Sequence, residues 1–98
     1  MGVITVDEKE PGEIIPVAFD FSALVDVIDS VIISISVRTG IDVNVSTMLF
    51  GTSIITDAVI TQLIRNGLDT NVYKIKADIF SGSKKYSLAL HLPVNDVV

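Results

Sequence analysis

From Tyr73 to Ile79 the chain alternates without a break: Tyr73, Ile75, Ala77 and Ile79 are apolar or aromatic, and Lys74, Lys76 and Asp78 are charged. Strict period-two alternation places one set of side chains on each side of an extended chain. A helix cannot use it, because a helix groups residues three and four apart. After "SGSKK" (81–85), a turn-forming stretch, Tyr86, Leu88, Leu90 and Leu92 repeat the pattern. Two such runs joined by a short Gly-containing turn predict a β-hairpin with one face in a core and the other in water. Whatever this chain folds into must be built around that hairpin.

The remaining segments read as more of the same. "NGLDTN" (66–71) is a polar connection, and Asn66-Gly67 tolerates positive φ. "AVITQLIRNG" (58–67) has no decisive face and reads as helix or strand; its β-branched content and terminal Asn-Gly favour strand. In "SVIISISVRTG" (30–40), Val31, Ile33, Ile35 and Val37 share one side, with Ser34, Ser36 and Arg38 on the other. "IDVNVS" (41–46) alternates again, so 30–40 and 41–46 are expected to form a connected pair of strands. "TMLFGTSIITDA" (47–58) is less regular, broken at Gly51, with a short strand expected near Ser53–Ile55. "EIIPVAFDF" (13–21) reads as the first strand, and Pro16, which has no N–H to give to a ladder, assigns it to a sheet edge or a bulge. Residues 22–29 fit one short helical turn near 22–28, capped by Ser22, with Leu24, Val25 and Ile28 turned inward.

The sum is an all-β fold, a sandwich of about seven short antiparallel strands with turn signals every eight to twelve residues. A chain of 98 residues is one domain. Residues 1–12, acidic and ending at Pro11-Gly12, read as a flexible N-terminal arm, 13–94 as the single sandwich domain, and 95–98 as a C-terminal tail.

Composition bounds the partners. Twelve acids stand against seven bases, and the bases (Lys9, Arg38, Arg65, Lys74, Lys76, Lys84, Lys85) are scattered along the sequence. Nucleic-acid binding needs a basic face that displaces counterions, so no nucleic-acid partner is expected. With no cysteine, disulfides, thiol catalysis and most structural zinc sites fall away, and burial alone must hold the fold. "MGVITVDEKE" lacks the pattern of a signal peptide, and the apolar stretch Ala23–Val37 carries Asp26, Asp29 and three serines. The expectation is a soluble protein with no membrane partner. At 49% hydrophobic the chain is rich in apolar residues for its size, which points to a surface covered by a partner or by copies of itself.

Candidate chemistry is sparse. His91 is the only histidine and has no carboxylate cluster near it in sequence, so it reads as a solvated strand residue rather than a metal ligand. Asp26 and Asp29 would share a face of a helical turn, with Asp20 upstream, but acid–base work needs a pocket that separates their pKa values. "DVNVS" (42–46) offers alternating oxygen ligands without the glycine and glutamate of an EF-hand loop. There is no GxSxG elbow and no Gly-rich phosphate cradle. No catalytic, cofactor-binding or metal residue is assigned, no cofactor and no small-molecule substrate is expected, and the chain does not read as an enzyme.

One ordered pattern adds to this. "FDFSALVDVIDSVIISIS" is followed by Gly51, by Asn66-Gly67, by "TNVY" (70–73), by an alternating strand, by Ser81-Gly82 and by a last alternating strand. Over residues 14–94 this resembles the immunoglobulin-like fibre–tail adaptor, or virion connector, proteins of tailed bacteriophages. Its landmarks are Phe19, Asp20, Phe21, Gly51, Gly67, Thr70, Tyr73, Ser81 and Gly82. Ile35 stands near the position where that family often carries tryptophan. The resemblance implies an immunoglobulin-like sandwich and a structural role. Many copies would sit around a ring of tail, neck or fibre components of a virion assembled in the bacterial cytoplasm. It carries over no active-site residue. The arm (1–12) and the 47–57 segment are the expected contact regions. The rival reading is an immunoglobulin-like ligand-binding module that recognises a host surface glycan or protein; the shortage of exposed aromatic residues argues against it.

Overall fold

The computed structural model describes residues 3–5 and 8–96, with side chains described from residue 8. Seven strands follow one another: β1 (Val3–Thr5), β2 (Ile15–Asp20), β3 (Ser30–Thr39), β4 (Leu49–Thr56), β5 (Val59–Ile64), β6 (Asn71–Ser81) and β7 (Lys84–Val94). A single 3-10 turn, Val45–Met48, precedes β4. The strands form two sheets, ordered β1-β7-β6-β3 and β2-β5-β4. All pairs are antiparallel except β1 with β7, which is parallel. Sheets of this composition, with the chain crossing between the layers from β1 through β4 and again from β5 to β6 while β4–β5 and β6–β7 pair within a layer, are the immunoglobulin-type arrangement.

The alternating hairpin is the centre of the molecule. Tyr73, Ile75, Ala77 and Ile79 are all fully buried and pair with Leu92, Leu90, Leu88 and Tyr86. Across the gap they meet Phe19, Phe21, Ile60 and Ile64 from the other layer. At the tip, Ser81 pairs with Lys84, leaving Gly82 and Ser83 as a two-residue turn. Only Gly82 of the two has positive φ (60°), as a type II′ turn requires at its first central position. Pro16 lies in β2, an edge strand, where no ladder bond is lost.

Four expectations are corrected. Residues 41–46 are not a strand. β3 pairs with β6 instead, Gly40 turns the chain at φ 103°, and Ile41 and Val43 are 81% and 90% exposed. The alternation there is cancelled by local polar bonding: the Asn44 N–H donates to Asp42 Oδ1 at 2.9 Å and Thr47 N–H to the Asn44 carbonyl at 3.0 Å. Residues 47–58 are more regular than expected, since β4 runs eight residues with one irregularity around Gly51. Buried Gln62 of β5 supports that irregularity by donating to the Phe50 and Gly51 carbonyls, both at 3.2 Å.

The third correction concerns the arm. Val3–Thr5 adds a strand to the edge of β7, and Lys9 is fully buried. The Lys9 N–H donates to the Pro93 carbonyl and its carbonyl accepts from Asn95, each at 2.9 Å. Its Nζ donates to the carbonyls of Glu10 (2.7 Å), Pro11 (3.2 Å) and Asn66 (2.7 Å). The ammonium takes up three acceptors that a turn would otherwise leave in a dry corner, and this holds the segment down. Burial pulls the Lys9 pKa below the usual lysine value, with Glu13 acting the other way. In the expected tail, Asn95 is tied to Lys9 and the Asp96 N–H donates to Asp69 Oδ1 at 2.8 Å. The parts of the arm and tail at 1, 2, 6, 7, 97 and 98 lie outside the described residues.

At 22–28 there is one turn and no helix: Leu24 and Val25 N–H groups donate to the Phe21 carbonyl. The cap is Asp20, whose Oδ1 accepts from the Ser22 N–H at 2.9 Å, and not the Ser22 hydroxyl. Ile28 is buried, and Leu24 and Val25 pack against the core.

Candidate functional site

Two outer sheet faces of opposite character are the features with functional content. On the three-stranded sheet, the register stacks outward positions into rows: Pro16–Leu63–Phe50, Ala18–Thr61–Ile54 and Asp20–Val59–Thr56. Eight of these nine positions are uncharged, and Phe50, Ile54 and Leu63 are 37%, 63% and 41% exposed. Arg65 borders the patch with its guanidinium 4.6 Å from the Phe50 ring centroid, while its Nε donates to the Thr47 carbonyl at 3.0 Å. β2 and β4 are both edges, so the patch is flanked by unpaired backbone on either side.

The outer face of the four-stranded sheet is basic. Its rows across β3, β6 and β7 are Ser36–Lys74–His91, Ser34–Lys76–Ala89, Ile32–Asp78–Ser87 and Ser30–Phe80–Lys85. Arg38 lies at the irregularity that ends the β3 ladder. Four of the chain's seven bases and its histidine therefore share a face with one carboxylate, Asp78. Asp78 accepts from the Ser87 hydroxyl and lies 3.7 Å from Lys76 Nζ, and the hydroxyl is the main reason its pKa is depressed. His91 is held towards the neutral form, first by desolvation and then by Arg38 and Lys74. Bases that are scattered in sequence gather because β6 and β7 alternate in phase and β3 contributes Arg38.

At the end of the sandwich where β6 begins, a polar network ties three loops together. The Tyr73 hydroxyl accepts from the Leu68 N–H (2.8 Å) and from Asn71 Nδ2 (3.2 Å), and donates to Asp42 Oδ2 (2.8 Å). A tyrosine near the start of this strand, bonded back to the loop before it, is the tyrosine corner of immunoglobulin-type sandwiches. Desolvation pushes the Tyr73 phenol above its ordinary pKa. Asn71, also buried, donates to the Ile41 carbonyl at 3.0 Å. Beside the network lies an open groove of about 470 Å³ lined by Asp42, Asn44, Thr47, Arg65, Asn66 and Leu68. Asp42, Thr47, Arg65 and Asn66 are engaged in bonds that shape the loops, Asp42 through both of its oxygens.

The residues weighed for chemistry are dispersed. Asp29 Oδ2 accepts from the Gly82 N–H at 2.7 Å and so closes the β6–β7 turn, while Asp26 is exposed on the preceding loop. His91 is far along β7, opposite Lys74. Among the described residues no group of three or more His, Cys, Asp or Glu is placed to hold a metal ion. Among the described residues no helix is long and apolar enough to cross a membrane.

No protein family, curated protein or solved structure matches this chain. The class that the fold and its faces define is architectural: a cysteine-free immunoglobulin-type sandwich with one apolar and one basic outer face.

Proposed function

We propose that this chain is a non-enzymatic structural adaptor that works through protein–protein contacts, as a connector between tail, neck or fibre components of a bacteriophage virion. The virion setting rests on the sequence resemblance over residues 14–94. The observation that carries the adaptor role is the apolar outer face of the three-stranded sheet, where Phe50, Ile54 and Leu63 are open to water. A solvated apolar face between two sheet edges lowers its free energy when another protein covers it. The 47–57 segment supplies Phe50 and Ile54 and stays a proposed contact region. The described part of the N-terminal arm is engaged in its own sheet, which leaves it less to offer a neighbour.

The test has two readouts. Quantitative mass spectrometry of purified particles is expected to find the chain at a fixed copy number. A Phe50→Ser/Leu63→Ser variant is expected to keep its fold by circular dichroism yet to be missing from particles. Absence of the wild-type chain from particles would refute the virion role, and normal incorporation of the variant would refute the use of this face.

A further inference from the structure

The sheets have four edges, β1, β3, β2 and β4, and three of them are blunted against pairing. β1 is three residues long, β2 carries Pro16, and β4 slips register around Gly51. β3 has none of these defences. Its ten residues contain no proline and no charge before Arg38, and its ladder with β6 is regular from Ser30 to Val37. Among the described residues, no hydrogen bond from a loop or a side chain falls on its backbone. Its inward row is also incompletely covered: Val31, Ile33, Ile35 and Val37 are only partly buried, whereas their partners Ile79, Ala77, Ile75 and Tyr73 are fully buried. We infer that β3 pairs antiparallel with the β3 of a second copy about a two-fold axis, joining two four-stranded sheets into one.

Period and charge select that occupant. Inward residues stay inward only if the axis passes at a residue and not between two. Centred on Ser34, the pair sets Ile33 opposite Ile35, Val31 opposite Val37, Ile32 opposite Ser36 and Ser30 opposite Arg38, so each inward row is extended by the other copy's branched aliphatics. The two ends of β3 differ in charge. Exposed Asp26 and Asp29 precede its first residue, and the Ile28 N–H donates to the Asp57 carbonyl at 3.1 Å, which brings a third exposed aspartate to that end. Exposed Arg38 stands at the other end, where Asp42, the next carboxylate along the chain, is bonded through both oxygens. Antiparallel pairing lays the Arg38 of each copy at the acidic end of the other. The lysines of the outer face do not oppose it: Ser34 lies between Lys76 and the axis, so the two Lys76 residues stand three strand spacings apart. That is about 14 Å, beyond a Debye length of about 8 Å. An isologous contact of this kind closes as a dimer and uses up the edge. The apolar face takes no part in it, and its test uses the isolated chain, so its failure leaves the adaptor reading standing.

The chain has no cysteine, so single thiols report the register. Opposite residues of an antiparallel pair lie about 4.5–5.5 Å apart, within the span of a disulfide. Under mild oxidation the folded Ser34→Cys chain is expected to cross-link to a dimer. Ser30→Cys, whose two copies would lie a full strand apart, is not. Sedimentation velocity at about 0.1 mM protein and about 0.15 M salt should give a dimer for the wild-type chain. Ser34→Lys, which sets like charges directly opposite each other at an exposed site, should give a monomer with an unchanged circular dichroism spectrum. A monomeric wild-type chain overturns the proposal and leaves the edge to an extended segment of another protein. Equal cross-linking of Ser30→Cys and Ser34→Cys overturns it as well. So does a dimer that Phe50→Ser/Leu63→Ser dissolves and Ser34→Lys does not, since the contact then belongs to the apolar face.

Discussion

Replacing Tyr73 by Phe isolates one hydroxyl in a fully buried ring. The ring still fills its place in the core, so the loss is polar and can be worked from its partners. The Leu68 N–H, 2.8 Å from the hydroxyl, loses its acceptor, and an unpaired donor of this kind costs about 1–3 kcal/mol. The bond to Asp42 also goes, but Asp42 is half-exposed and water takes the vacant position, so that part adds about 1 kcal/mol or less. Asn71 keeps the Ile41 carbonyl. The expected loss is roughly 3 kcal/mol, a large share of the 5–15 kcal/mol typical of a domain. With a urea m-value of about 1.5 kcal/mol/M, the unfolding midpoint falls by about 2 M. Urea unfolding followed by circular dichroism measures this, and amide exchange at Leu68 should accelerate in the same variant. Tyr86→Phe is the control, since that hydroxyl joins none of the side-chain hydrogen bonds among the described residues; its loss should stay below about 0.5 kcal/mol. A Tyr73→Phe loss no greater than that of Tyr86→Phe would refute the claim that the network holds this end together.

Gly40→Ala should destabilise by about 2 kcal/mol or more, because φ is 103° and a Cβ would fall 2.0 Å from Asn71 Oδ1; thermal unfolding of the variant checks it. Lys9→Met keeps the apolar stem but strands three carbonyls, so a loss of roughly 2–4 kcal/mol is expected, with faster exchange of the Lys9-linked Asn95 amide. The folded-state pKa of Asp78 is depressed, first by the Ser87 hydroxyl, so its contribution is present above the unfolded carboxylate value. That contribution is lost as the pH falls through the folded value, below about pH 4. Ser87→Ala should flatten this acid limb in a pH series of unfolding midpoints; an unchanged limb would show that Lys76, not the hydroxyl, holds the shift.

Alternation is a local property, and wherever it ran unopposed the sequence determined the outcome by itself. The β6–β7 hairpin, the inward row Tyr73 to Ile79, the face of β3 and the edge position of the strand with Pro16 were all legible, because burial enforces the period and a missing N–H excludes a central place. The landmarks of the phage resemblance were legible for the same reason: Phe19 and Phe21 are core, Gly51, Gly67, Thr70 and Gly82 take positive φ, and Tyr73 builds the corner. Each has a fold-level cause, so they inform about architecture more than about partners.

Tertiary structure decided the rest. The alternation of 41–46 lost to side-chain bonds from Asp42 and to the pairing of β3 with β6, 33 to 50 residues away along the chain. Lys9 looked like part of a solvated acidic arm; its burial is favourable because the fold brings the Asn66 carbonyl to an ammonium that also donates to the Glu10 and Pro11 carbonyls. The ambiguous face of 58–64 has its reason in Gln62, a polar residue turned inward to serve the irregularity of β4. Neither outer face was visible in the sequence, since each is a sum over strands that are distant along the chain. Charge and apolarity become a surface only when register sets Lys74 beside His91 and Leu63 beside Phe50.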